Sequence, residues 1–367
     1  MDKYSTKNSS LILTMVLFEI GSTTLFLLGA KAGRDAWLAM LIGALAGLLL
    51  LLMYLRIYTM EPDKDLYEIS RHYLGKLPGN FVSLLFTCYF IYEASRNLRD
   101  LGELTSLALL DKTPTLIIML ITILVVANTV RYGAEVLFLA CTALIPVIAI
   151  GYGVLLILIM ITGMVHWEFL SPVLEKGILP VLDTAIPEMI SFPFGQLVLF
   201  LVFFKYVHKN SRLKKGVLWG YSLVALLLIV INQLNILILG PALAAGSTYP
   251  LLQVVQIIQV AKVLERTDVL FVLILFLGLG AKVAAFFLGA VLGLQSVSGK
   301  NFRYWVIPAG GLIFALTFLS STYTEFIRIG LSVVVTWSSP VFQILLPLLL
   351  FGVMLLRKNR RSAKKDG

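Results

Sequence analysis

Two stretches decide how this chain reads: LFEIGSTTLF at residues 17–26 and PEMISFPFGQLVLF at residues 187–200. Each lies inside an apolar run long enough to cross a bilayer, and each carries residues that interrupt a helix. In the first these are Gly21, Ser22, Thr23 and Thr24; in the second they are Pro187, Pro193 and Gly195. Lipid offers no hydrogen bond to an open backbone. Irregular chain at membrane depth must therefore line a cavity enclosed by protein. Freed N–H groups at a half-helix would hold an anionic group such as an amino acid carboxylate. Unwound carbonyls and the hydroxyls of Ser22 and Thr24 would hold an ammonium.

Working outward, a hydrocarbon core of about 30 Å takes about 20 apolar residues per helix. Ten runs meet this, near 10–29, 36–58, 79–108, 114–130, 134–164, 184–206, 216–239, 269–296, 304–320 and 333–356. The interrupted runs are the first and the sixth, five apart in order. Discontinuous helices at matching positions of two halves point to a transporter-type midplane site. The expected fold is an all-α polytopic membrane protein of about ten transmembrane helices, built as one membrane domain over 1–367. Residues 10–164 would form one five-helix half and 184–356 an inverted repeat of it. Pro146 and Gly151–Tyr152–Gly153 predict a tilt or kink in the long fifth run. The first run has no small-residue cleavage site and is followed directly by Lys31 and Arg34, so it is expected to be retained.

Composition agrees. The 367 residues are 59% hydrophobic and 14% charged, against about 45–50% and 25% in soluble domains. The net charge of +10 in so apolar a chain points to anionic lipid rather than nucleic acid. Cys88 and Cys141 both lie in apolar runs, which excludes a disulfide scaffold and a cysteine metal module. With the N-terminus inside, 20 of the 30 Lys and Arg fall in cytoplasmic segments, 7 in outer loops and 3 within spans. That bias predicts both termini in the cytoplasm, with a basic tail at 357–367. Helical spacing of Leu66, Ile69 and Tyr73 predicts a short interfacial helix in the cytoplasmic loop 61–78. The spacing of Val254, Ile257, Ile258 and Ala261 predicts an amphipathic helix on the outer surface over 249–266.

Charge inside the spans is the second signal. The third run carries Glu93, Arg96, Arg99, Asp100 and Glu103 at spacings of three and four, so each finds a partner on the same helix face. A lone charge at the bilayer centre costs about 2.5–3.5 kcal/mol, so these residues should face the bundle interior. Glu93 and Arg96 lie nearest mid-depth. Glu19 and Lys282 are the other intramembrane charges and are candidates for ion pairing or coupling. Lys282 either stands in for a coupling cation or pairs with a carboxylate. Glu188 and Gln196 flank the sixth-run break. Gly43-xxx-Gly47 and Gly289-xxx-Gly293 read as packing motifs. No HExxH, P-loop or GxSxG occurs, and no cofactor, metal or enzyme site is expected.

Four strings go further: SFPFGQ at 191–196, LSPVLEKGILPVLDTA at 170–185, DLYEISRHYLGKLPG at 65–79 and LERTDVLFV at 264–272. In this order and spacing the chain resembles the B subunits of endospore germination receptors, a branch of the amino acid–polyamine–organocation (LeuT-like) permease superfamily. The resemblance covers nearly the whole length. It implies a protein of the spore inner membrane that assembles with receptor A and C subunits and binds a small nutrient, often an amino acid. Occupancy of a transporter-like pocket would start germination. The implied pocket residues are Gly21, Ser22 and Thr24 in the first run and Phe192, Phe194 and Gly195 in the sixth, with Glu93 and Lys282 as further transfers. Relatives often carry an acidic residue where Gln196 stands, which would alter contact with a ligand ammonium. An ion- or proton-coupled amino acid transporter shares this fold and is the alternative; Glu19, Glu93 or Lys282 would then be the coupling groups.

Overall fold

The computed structural model describes residues 7–207, 211–260 and 267–363. Helices make up most of this part of the chain, and no sheet forms among the described residues. Six helices are long and apolar enough to cross a membrane: α2 (Ala30–Met60 with its entering turn), α6 (Ala134–Ile161), α7 (Leu179–Tyr206), α8 (Arg212–Leu239), α10 (Asp268–Ser298) and α12 (Tyr323–Lys358). Thr115–Arg131 (α5) and Phe302–Leu316 (α11) are shorter apolar helices. The first run forms α1, Asn8–Thr23. The third forms α4, Lys76–Ala108, whose 33 residues include the charged ladder. Each of the ten expected runs is thus wholly or largely helical.

Packing follows from which faces are smooth. α10 runs along α4 and α1 at the centre of the molecule. There it buries Phe286, Phe287 and the whole of Lys282. α5 and α6 keep much of their apolar surface outward, with Leu124, Leu139 and Ile150 exposed, as a lipid-facing layer requires. Pro146 lies inside α6 without ending it.

The two amphipathic helices sit deeper than surface-resting helices would. In α3 (Leu66–Leu74) Asp65 and Glu68 form a reciprocal capping box. Leu66, Tyr67 and Ile69 are buried, and the Tyr67 hydroxyl donates to the Gly289 carbonyl on α10 at 2.7 Å. Burial holds the Asp65 carboxyl above its usual range, against the pull of Lys205. In α9 (Pro250–Val260) the inward face is Leu251, Val254, Val255 and Ile258, whereas Ile257 is exposed. Leu251 and Val255 extend the inward stripe and take the place expected of Ile257. Ala261 and the Leu264–Arg266 part of the quoted string lie outside the described residues, as do Lys3, Lys262 and the end of the basic tail.

Candidate functional site

The first interruption falls one turn later than the Gly-Ser-Thr cluster suggests. α1 stays helical through Gly21 and Ser22 and ends at Thr23. Two contacts hold that last turn. The Thr23 hydroxyl donates back to the Glu19 carbonyl at 2.5 Å, and Gly21 lies directly on Gly278 of α10, where a Cβ would stand 2.6 Å from the Gly278 carbonyl oxygen. From Thr24 to Gly29 the chain leaves the helix, and Gly29 takes a left-handed φ of 79°. The freed groups are met by side chains from other helices. Thr24 Oγ1 pairs with the Tyr152 hydroxyl at 2.6 Å. The Asn232 amide accepts from Leu28 N–H at 2.9 Å and donates to Leu28 C=O at 2.8 Å. The Leu28 N–H and C=O, which lipid cannot satisfy, are thus satisfied by α8, while α6 holds the Thr24 side chain.

The second interruption lies where the sequence puts it. α7 is α-helical over Leu179–Thr184 and π-wound over Ala185–Met189. After Ile190 and Ser191 it turns at Phe192–Pro193 and resumes as a 3-10 coil over Phe194–Leu199. Ile186 is extended, at φ −125° and ψ 116°. Pro187 and Pro193 lack the N–H that would continue the ladder. Gly43 and Gly47 on α2 leave room for Met189 and Phe194, so the packing motif on α2 is the bed on which the broken segment lies. At Gly195 a Cβ would overlap the Gln343 side chain of α12.

Between these segments lies a buried polar group. Glu19 and Lys282 are at most 1% exposed, yet both Glu19 carboxylate oxygens and Lys282 Nζ have no hydrogen-bond partner in the protein. Lys282 Nζ instead faces two aromatic rings, Phe18 at 4.8 Å and Phe192 at 5.1 Å to the centroid. Glu93 Oε2 accepts from Gln196 Nε2 at 2.8 Å, leaving Glu93 Oε1 and Gln196 Oε1 without partners. Further along α4, Arg96 lies 6.0 Å from the Phe326 ring centroid, and Asp100 accepts from Tyr323 at 2.9 Å. Ser22 and Ser191 add two buried hydroxyls without partners. Above Phe192 a cleft of about 190 Å³ opens between the two interrupted segments, lined by Leu28, Gly29, Met189, Phe192 and Val335. An ion pair between Lys31 and Glu188 stands at its mouth.

A family described as "Spore germination protein" matches residues 6–326. The chain is 33% identical over 367 residues, all of this chain and 98% of the relative, to "Spore germination protein KB" of Bacillus subtilis (strain 168). It is 24% identical over 302 residues, 82% of each chain, to "Spore germination protein YndE" of the same organism. "Spore germination protein B2" matches at 24% over 325 residues, 86% of this chain and 85% of the relative. The chain belongs to the spore germination protein family.

Within this spore germination protein the residues singled out from sequence separate into two groups. Glu19, Glu93, Phe192, Gly195, Gln196 and Lys282 come together at the buried polar group. Ser22 is buried near it on α1. Thr24 is taken up by Tyr152, Gly21 by Gly278, and Phe194 by α2 and the Tyr221 ring at 5.6 Å. Arg96 stays buried on α4, whereas Arg99 and Glu103 pair with each other at 2.7 Å, partly exposed. Asn232, Tyr152, Tyr89 and Gln343 were missed. Each is a polar side chain set in an apolar run, which is the signal by which they were open to detection.

Proposed function

We propose that this protein is the B subunit of a nutrient germinant receptor, and that it binds a small nutrient, best matched by an amino acid, between its two interrupted segments. One observation carries the reading. Acceptors on Glu19, Glu93 and Gln196 and the donor Lys282 are buried without protein partners beside the breaks in α1 and α7. A buried polar group without a partner costs about 1–3 kcal/mol, more when charged. A zwitterion relieves this at both ends: its ammonium meets the carboxylates and its carboxylate meets Lys282.

The proposed architecture is the LeuT-like 5+5 inverted repeat, residues 10–164 and 184–356, in one membrane domain. In this reading the protein lies in the spore inner membrane with both termini in the cytoplasm. It joins receptor A and C subunits, and the basic end of the chain rests on acidic lipid. Binding shifts the bundle between two arrangements in proportion to the ligand's difference in affinity for them. The relatives' names, all spore germination proteins, support a sensing role over bulk uptake.

The test is a thermal-shift screen of the purified protein against the proteinogenic amino acids. A binding ligand stabilises the folded state by RT ln(1 + [L]/Kd), so the melting temperature rises with its concentration. Stabilisation by none of them overturns the ligand assignment. Proteoliposomes containing this chain alone then separate the roles: binding without flux supports the sensor, and concentrative uptake supports the ion- or proton-coupled transporter.

A further inference from the structure

The last long helix brings one more polar side chain, Gln343, up to the buried polar group. α12 departs from α-helical winding over Ile329–Ser338 and again over Val341–Leu345, both π-wound. Such winding is rare and tends to occur at functional positions. Within the second stretch Phe342 stacks on the Tyr89 ring, with centroids 4.5 Å apart and planes 6° from parallel. Gln343 Nε2 donates to the hydroxyl of the same tyrosine at 2.7 Å. The Gln343 carbonyl accepts from Tyr54 on α2. Gln343 is fully buried and held at two of its polar atoms, yet its Oε1 has no partner. That oxygen lies against Gly195, at the break in α7 and next in sequence to Gln196.

Tyr89 and Glu93 are one turn apart on α4, so two rungs run side by side: Tyr89 to Gln343 and Glu93 to Gln196. Both rungs use the amide N–H₂ as donor. Each therefore leaves its amide oxygen free, and Glu93 adds Oε1. An ammonium has three N–H donors. We propose that Gln343 is a ligand-contacting, specificity-determining residue, which with Gln196 and Glu93 forms a three-oxygen seat for a primary ammonium. This rests on the amino-acid reading above and deepens it: the seat selects the amino group, and the absence of a Cβ at Gly195 is what lets α12 take part.

The experiment compares each amino acid that stabilises the wild-type protein with the α-hydroxy acid of the same side chain, by equilibrium binding. In Gln343→Met, affinity for the amino acid is expected to fall about tenfold or more, from loss of one buried acceptor, while affinity for the hydroxy acid holds. A general packing defect would weaken both alike. Tyr89→Phe serves as the second variant. It keeps the ring stack on Phe342 and removes the hydroxyl that orients the amide, so a smaller loss in the same sense is expected. Equal affinities in variant and wild type, or parallel loss for both ligand types, overturn the role of Gln343 and leave the pocket standing. Failure of the wild type to bind any amino acid overturns both.

Discussion

Asn232 holds the Leu28 peptide by both of its polar groups, accepting at 2.9 Å and donating at 2.8 Å. One side chain on α8 thereby replaces the helical partners that the chain after α1 has lost. Asn232→Leu leaves a buried N–H and C=O without partners, each worth about 1–3 kcal/mol. The variant is expected to unfold at markedly lower temperature in detergent and to bind amino acids weakly, as read by thermal shift with and without ligand. An unchanged melting temperature would show that the unwound segment is held by something else.

Lys282 has Glu19 and Glu93 as its nearest opposite charges but bonds to neither. Lys282→Met therefore leaves buried carboxyls without a nearby cation, and the expected loss of stability is below the about 3–5 kcal/mol of a directly bonded buried pair. The paired change Glu19→Gln with Lys282→Met removes both charges and is expected to recover most of that stability without recovering ligand binding. A double-mutant cycle on melting temperature measures this. Simple addition of the two single effects would show that the groups do not interact.

The two glycines of the interrupted segments should respond differently. Gly21→Ala drives a methyl toward the Gly278 backbone, which cannot yield, and is expected to destabilise by about 1–3 kcal/mol. Gly195→Ala meets both the Gln343 side chain and, at 2.8 Å, the Ile190 carbonyl oxygen. Its expected signature is a comparable loss of stability together with a loss of binding that Gly21→Ala does not share. The ratio of these two effects, read by melting and by ligand titration, separates a helix contact from a ligand seat.

Lys31 and Glu188 pair across the mouth of the outer cleft. Lys31 is largely exposed, so loss of the pair alone should change stability by under about 1 kcal/mol. A bifunctional thiol crosslink with a reducible disulfide in its arm, joining Lys31→Cys to Glu188→Cys, would tie the chain after α1 to the interrupted stretch of α7. It is expected to block amino acid binding while intact and to restore it on reduction. Full binding in the crosslinked protein would mean that solutes reach the polar group by another route.

The apolar runs and the breaking residues Pro187, Pro193 and Gly195 were legible because they act through the local chain, by length, hydropathy and a missing N–H. Glu93, Glu19 and Lys282 were legible because charge in an apolar helix needs a reason. Local reading placed the first break at Gly21–Thr24, but the helix persists to Thr23 because α10 supplies a glycine opposite Gly21. Asn232 and Gln343 escaped for a related reason. A single amide in a greasy helix is unremarkable until the partner is known, and their partners lie 204 and 254 residues away in sequence.

Ionisable groups crowd the centre of the bundle: Glu19, Glu93 and Asp100 stand with Arg96 and Lys282, all of them buried. A solute that lodged there would lose its water on entry and would have to replace it with polar groups of both signs. A sugar or other uncharged polyol offers only hydroxyls to such a site, whereas a zwitterion brings a cationic head for the carboxyls and a carboxylate for the lysine.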